Sequence, residues 1–244
     1  MGPPKFCGMI YVGMLGEPGI LFDTTFVDAL GVDVATFEAW ARANEERWGR
    51  YMAVKPAAID VPTWIQHCAV GTKIILTYRK TNPMVVKYWD TASRMITAMA
   101  NGDELCFGGP TGTLLRTVEN GIVLPNGMVQ RYEGLRKDKD GYSFLRRKEG
   151  RIQRVRVYGG ALVENITQAL ARIVITDVME HAERKFGYRT ALQVHDEIIF
   201  VTEEDKAKEA FDNTIALMRT PPAWGDGLPL DAEGDFGKVY GDCK

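Results

Sequence analysis

The chain has 244 residues, of which 45% are hydrophobic and 10% aromatic, and its formal net charge at pH 7 is -2. This length and apolar content allow one large domain or two small ones with buried cores, which excludes a disordered tail. The near-neutral charge gives no general attraction to nucleic acid, so any such contact requires a local basic segment.

The cysteines and the longest apolar runs indicate the compartment. Cysteines stand at positions 7, 68, 106 and 243 without a Cys-x-x-Cys pair, which argues against a zinc site or a disulfide framework. No segment approaches the roughly 20 apolar residues of a membrane-spanning helix. The apolar run 6–15 lacks the small-residue cleavage site of a secretory signal. We therefore expect a cytoplasmic protein with no membrane partner.

The first hundred residues are predicted to be mostly helical. The segment 34–50 is rich in Ala, Glu, Arg and Trp and follows Asp33, a residue type that suits a helix N-cap. The segment 83–100 places apolar residues along one stripe, and Asn82-Pro83 before it is a start signal. The sequence predicts one helix over each of these two segments.

Strands are predicted from residue 114 onward. Strand-like runs cover 114–118, 122–124 and 129–132, and Pro125-Asn126-Gly127 between the last two indicates a hairpin turn. The segment 130–156 then contains ten Lys and Arg against four Asp and Glu. Such a run is either a solvated strand face or a surface that contacts phosphates, and the residues alone leave both open.

A long helical pattern follows over residues 161–186 and ends at Gly187, a typical C-cap signal. Its apolar residues fall on one face, whereas Asn165, Gln168 and Arg172 cluster on another. Amide groups and a guanidinium suit base edges in the minor groove and phosphates. An ordinary solvent-exposed polar face is the alternative interpretation.

Two short apolar runs within 192–201 meet at His195-Asp196-Glu197. Acidic residues between strands that would otherwise be buried have a natural role in phosphoryl and nucleotidyl transfer, where carboxylate oxygens hold Mg²⁺ ions. A tight turn with exposed acids and no function is the simpler alternative.

Taken together, these motifs resemble the palm of family A DNA polymerases (the DNA polymerase I family), especially the bacteriophage-type members. The segments that carry the resemblance stand in the family's order and cover roughly residues 78 to 244: 78–83, 123–128, 158–172, 194–197, 220–224, 227–234 and 237–240. The resemblance implies an α+β fold. Residues 101–244 would form a partial palm with antiparallel hairpins and a long helix, and residues 1–100 fingers-type helices.

The resemblance also implies roles for single residues. Asp196 would bind the catalytic metal ions, Glu197 would be its neighbouring acid, and His195 would lie near the primer terminus. Gln168, with Asn165 or Glu164, would contact DNA in the minor groove, and Arg172 would have a supporting role. Apart from the resemblance, the charge of the basic segment makes Arg146, Arg147 and Lys148 candidates for contacts with DNA phosphates. The implied activity is DNA-templated nucleotidyl transfer in replication, from dNTPs to primer–template DNA, in the host cytoplasm if a phage encodes the chain.

Two parts of the family's pattern have no counterpart here: the Asp-Tyr-Ser motif with the second metal-binding aspartate, and the fingers helix whose Arg and Lys bind the triphosphate. We therefore expect a second polypeptide to supply both and to share a two-Mg²⁺ site, so that the isolated chain is inactive. Two alternatives remain open: a non-catalytic DNA-binding subunit or relic, and a metal-dependent phosphoesterase that adds the C-terminal acids Asp231, Glu233 and Asp235 to Asp196 and Glu197.

Overall fold

The computed structural model describes residues 2–13, 18–148 and 150–243, with the side chain of Lys148 left out. The chain divides into two compact units, Met1–Tyr88 and Trp89–Lys244. Residues 89–100 therefore group with the second unit. Within the described ranges, no helix has both the length and the apolar character needed to cross a membrane.

The described part of the first unit is built from helices. They are α1 (Pro3–Val12), α2 (Thr24–Leu30), α3 (Val34–Arg42), α4 (Glu45–Met52), α5 (Val61–Thr81) and the start of α6 (Pro83–Asn101). Four of these helices begin at an Asp or Asn whose side chain accepts a hydrogen bond from a backbone N–H of the first turn. These caps satisfy donors that have no partner within the helix.

The prediction of a single helix over 34–50 is wrong, because the chain breaks between α3 and α4. Asn44 Oδ1 accepts a hydrogen bond from the Arg47 N–H at 2.8 Å and so starts a new helix. Asparagine is among the best N-cap residues and a poor helix-interior residue, which favours the break. Two arginine–tryptophan stacks join the helices, with Arg42 3.9 Å from the Trp48 ring centre and Arg47 4.1 Å from that of Trp40.

A fully buried histidine lies in the core of the first unit. His67 Nδ1 accepts a hydrogen bond from the Phe22 N–H at 3.1 Å, so the proton is on Nε2, which donates to the Cys7 carbonyl at 2.9 Å. The imidazole also stacks on Phe22 and on Trp64, with ring centres 4.9 and 5.0 Å away. Both nitrogens are satisfied in the neutral form, so the site is built for an uncharged ring.

Acidification is expected to destabilise this unit through His67. Burial lowers the pKa of His67 below its ordinary value, which is about 6.5 in an unfolded chain. The stabilisation by the neutral ring is therefore complete above that value and is lost as the pH falls through it towards the lower pKa of the folded state. The expected loss is about 1.4 kcal/mol per pH unit in this window, and urea unfolding on either side of it measures the loss.

Two variants identify the residue responsible for that pH dependence. His67→Gln cannot be protonated, so its stability should be lower overall but should change less between the two pH values. His181→Gln alters an exposed histidine and should retain the pH dependence of the wild type. An equal response to pH in wild type and His67→Gln would contradict the assignment.

Among the described residues, the second unit contains three antiparallel sheets. The first joins β1 (Cys106–Phe107), β2 (Leu115–Val118), β3 (Gly121–Val123) and β4 (Val129–Arg131) in chain order. The second joins β5 (Arg136–Asp138), β6 (Gly141–Lys148) and β7 (Arg151–Val157), and the third is the hairpin of β8 (Thr190–Val194) and β9 (Glu197–Phe200). The strands predicted around the Pro125-Asn126-Gly127 turn are confirmed.

After the end of α6, the described part of the second unit also contains the α-helices α7 (Gly159–Phe186) and α8 (Ala207–Met218) and three short 3₁₀ helices. The predicted long helix and its end at Gly187 are confirmed, since Gly187 adopts the left-handed conformation with φ of 75°. The apolar face of α7 packs into a core shared with α6 and the first sheet, which contains Met95, Ile96, Leu115, Ile122, Leu162, Ile166 and Ile173. This packing directs the polar stripe of α7 away from the core.

Candidate nucleic-acid interface and carboxylate hairpin

A cleft of about 540 Å³ is lined by residues of β4, β6 and α7 and by Tyr132, which follows β4. Its wall includes four side chains that the sequence analysis predicted to contact DNA: Arg146, Arg147, Asn165 and Gln168. The fold therefore brings the basic segment and the polar stripe of the long helix to one place. With Gln130 and Arg131 of β4, the residues that line the cleft include three amides and three arginines.

Two other predicted residues of α7 lie outside the lining of this cleft. Glu164 is exposed and stands next to Asn165, so the helix turns it about 100° away from that side chain. Arg172 is exposed and lies one turn beyond Gln168 on the same stripe. Arg172 therefore extends the polar surface, and Glu164, one turn before Gln168, lies at its edge outside the cleft lining.

Three further polar residues line the cleft and were not expected there from the sequence: Gln130, Arg131 and Tyr132. The Tyr132 hydroxyl accepts a hydrogen bond from Asn165 Nδ2 at 3.1 Å, and Gln130 Nε2 donates to the Asn165 carbonyl at 3.3 Å. Among the described residues, the buried Gln130 Oε1 has no hydrogen-bond partner. Gln130 and Tyr132 are two positions apart at the end of β4, but no local sequence pattern indicates that α7 packs over them.

Two arginines of the basic segment form ion pairs or hydrogen bonds with their own sheet and its loops. Arg156 pairs with Asp138 and Asp140, and its hydrogen bond is the main reason that the pKa of Asp138 is lowered. Arg154 donates hydrogen bonds to the carbonyls of Gly134 and Ser143. These two exposed guanidinium groups are therefore engaged by acceptors of the same sheet and the loop before it.

Other cations of the segment are exposed and available. Arg146, Arg147 and Arg151 form no ion pair with any carboxylate in the described part of the chain. Arg146 and Arg147 lie on β6 at the cleft, and Arg151 begins β7 on the other side of the hairpin turn. The side chain of Lys148, which was also predicted to contact DNA, lies outside the described residues.

The predicted hairpin with His195-Asp196-Glu197 is confirmed. Val194 pairs with Glu197, so His195 and Asp196 form a two-residue turn. His195 adopts a left-handed backbone conformation, with φ of 53°, which costs a residue with a side chain about 1 kcal/mol or more. The Gln193 side chain supports the turn by donating to the His195 carbonyl at 2.7 Å.

The two carboxylates of this hairpin have different surroundings. Asp196 is exposed and forms no hydrogen bond or ion pair with the described residues, whereas Glu197 Oε2 accepts a hydrogen bond from the Tyr240 hydroxyl at 3.0 Å. Tyr240 is a residue of this site that was not expected from the sequence. No group of three or more His, Cys, Asp or Glu that could hold a metal occurs among the described residues. Mg²⁺ at nucleotide sites often uses only one or two carboxylates with water and phosphate oxygens, so the pair fits as a partial donor set.

The C-terminal acids considered for a phosphoesterase are arranged differently from the hairpin pair. Residues 228–237, which include Asp231, Glu233 and Asp235, form no strand. The Asp231 carboxylate accepts from the Ala232 N–H and from Arg219 Nε at 2.7 Å, which lowers its pKa. Asp231 is therefore already paired with Arg219, and no strand places the three acids on one face. Their alternate spacing does not produce three unpaired metal ligands side by side.

Comparison with known proteins gives a distant relative. Over 200 residues the chain is 29% identical to the DNA polymerase of Bacillus phage SP02, and the matched region is 78% of this chain and 30% of the phage protein. The match thus covers less than a third of that relative's length. No protein-family model and no solved structure matches the chain. The chain is related to a phage DNA polymerase.

Proposed function

We propose that the chain is the palm-containing part of a family A DNA polymerase, which binds primer–template DNA and holds one carboxylate of the nucleotidyl-transfer site. The observation that carries the proposal is the cleft in which Asn165 and Gln168 of α7 meet Arg146 and Arg147 of β6. The relationship to the DNA polymerase of Bacillus phage SP02 supports it. The match covers only part of that protein, so the activity of the whole enzyme belongs to the proposal.

The chemistry of the cleft suits a nucleic-acid duplex. Exposed guanidinium groups neutralise phosphates and release counterions, which favours binding without reading sequence. Side-chain amides can both donate and accept hydrogen bonds, as contacts with base edges require. Arg146 and Arg147 would thus hold the backbone, and Asn165 and Gln168 would contact base edges.

The hairpin would supply catalytic oxygen ligands. Asp196 and Glu197 would hold Mg²⁺, which when bound stabilises negative charge as the primer 3′-OH attacks the α-phosphate of a dNTP and pyrophosphate leaves. The Tyr240 hydroxyl holds Glu197 in place. The exposed Asp196 carboxylate accepts no hydrogen bond from the described residues, so its oxygens are available to a metal ion. The second aspartate and the cations for the triphosphate would come from polypeptide outside these 244 residues.

A non-catalytic DNA-binding subunit is the second candidate function. It is favoured by the lack of a third metal-binding side chain at the hairpin, within the described residues. Both candidates require the cleft to bind DNA. They differ in whether the hairpin carboxylates affect the rate of primer extension.

The cleft is tested by removing two of its cations. The double variant Arg146→Ala/Arg147→Ala should bind a short primer–template duplex more weakly than wild type, because two phosphate contacts are lost. The slope of log affinity against log salt concentration should become shallower by about 0.9 for each lost contact. Fluorescence anisotropy across a salt series measures both quantities.

A charge-matched control separates the cleft from general electrostatics. Arg184 and Lys208 are each paired with a carboxylate one turn away, so Arg184→Ala/Lys208→Ala removes equal charge from another surface. Its affinity and salt slope should stay close to those of the wild type. If the cleft variant also keeps the wild-type slope, the basic segment is only a solvated strand face.

Catalysis can be tested in a chimera that supplies the missing segments. In it, this chain replaces the matching region of the DNA polymerase of Bacillus phage SP02. The phage protein then provides the parts of the site that the chain lacks, and single residues of the hairpin can be varied within it.

A further inference from the structure

The amide of Asn165 is held in one orientation by a buried tyrosine. Asn165 Nδ2 donates to the Tyr132 hydroxyl at 3.1 Å. Tyr132 is 1% exposed, and its ring packs edge-on against Phe144 with ring centres 4.9 Å apart. A phenol fixed by core packing gives the amide nitrogen a rigid anchor.

The backbone of the same residue is also anchored. The Asn165 carbonyl accepts a hydrogen bond from Gln130 Nε2 at 3.3 Å, so β4 and the residue after it contact Asn165 at two points. In the described part of the chain, Asn165 Oδ1 has no hydrogen-bond partner. The hydrogen bond to Tyr132 uses one of the two N–H groups of the amide and fixes the direction of Oδ1, so this oxygen is the unpaired acceptor that Asn165 can offer to a ligand.

We propose that Tyr132 is a positioning residue, whose hydroxyl holds the Asn165 amide nitrogen so that Asn165 Oδ1 accepts a hydrogen bond from the guanine 2-amino group of a bound duplex. The 2-amino group is the one donor that base pairs present in the minor groove, where the other edge atoms are acceptors. An amide oxygen held in a fixed direction therefore distinguishes guanine from the other bases, because only guanine supplies a donor to it in the minor groove. This inference rests on the proposed binding of DNA in the cleft.

The experiment compares the affinity of the chain for two duplexes of one sequence, one with guanine and one with inosine in its place, which lacks the 2-amino group. Wild type should bind the guanine duplex about 3- to 10-fold more tightly, the effect of one hydrogen bond. Tyr132→Phe keeps the packed ring, and Asn165→Ala removes the acceptor. Both variants should reduce the ratio of the two affinities towards one, and combining them should reduce it no further.

A tyrosine of β6 provides the matched control. The Tyr142 hydroxyl donates to Thr97 and lies outside the lining of the cleft, so Tyr142→Phe should keep the wild-type ratio. A Tyr132→Phe protein that also keeps this ratio would overturn the positioning role. Equal affinity of wild type for both duplexes would overturn the inference and leave the proposed function intact, whereas failure to bind either duplex would remove both.

Discussion

In the chimera, Asp196→Asn is expected to slow single-turnover primer extension by at least about 10² to 10³-fold, the loss typical of removing one preorganised electrostatic group. The substitution keeps the shape of the side chain and removes the charge that would hold Mg²⁺ against phosphate oxygens. Affinity for primer–template DNA should change little, because a carboxylate contributes no attraction to the phosphate backbone. Rapid-quench measurement with saturating dNTP separates the rate from binding.

An exposed acid elsewhere serves as the control for Asp196. Asp205 lies in a short turn after β9 and is exposed, so Asp205→Asn makes the same chemical change away from the hairpin and should extend primers at the wild-type rate. Equal rates for wild type and Asp196→Asn, with both proteins folded, would exclude Asp196 from the active site. The non-catalytic DNA-binding subunit would then be the better interpretation.

Gly159→Ala is expected to lower the free energy of unfolding by about 2–3 kcal/mol, at the upper end of overpacking effects in a close contact. A methyl group at this position would lie 2.0 Å from the Trp89 carbonyl oxygen and 2.6 Å from Ser93 Oγ. The nearest atom belongs to the backbone of α6, so the two helices would have to separate. Urea unfolding at neutral pH measures the change.

The neighbouring glycine gives a stringent comparison for that variant. A methyl group at Gly160 would meet the Tyr158 ring at 3.1 Å, and Tyr158 is an exposed side chain that can move. Alanine is also favoured over glycine in a helix by about 1 kcal/mol, so Gly160→Ala should be close to neutral. Similar losses for both variants would show that the close contact at Gly159 does not determine stability.

The parts of the fold that sequence predicts are those with local causes. The end of α7 at Gly187, the hairpin at Pro125-Asn126-Gly127 and the turn at His195-Asp196 each follow from residues within a few positions of one another. The break at Asn44 also has a local cause, the capping side chain, but the helical composition on both sides of it concealed the signal.

The candidate site was predicted only in part because its contacts join distant segments. The residues Asn165, Gln168, Arg146 and Arg147 were identified by type and by resemblance, but their meeting in one cleft depends on how α7 packs over the sheet. Tyr132 and Tyr240 were missed for the same reason. Their partners Asn165 and Glu197 stand 33 and 43 positions away, and no periodicity links residues at such separations.

The most direct test of the central claim is whether the chimera copies a template. Primer extension with one dNTP at a time, in the presence of Mg²⁺, shows whether the added nucleotide is the complement of the template base. The account predicts addition of the complementary nucleotide, dependence on Mg²⁺ and loss of extension in Asp196→Asn. A folded chimera that binds primer–template DNA as tightly as the phage enzyme, yet adds no nucleotide or adds nucleotides without regard to the template, would contradict it.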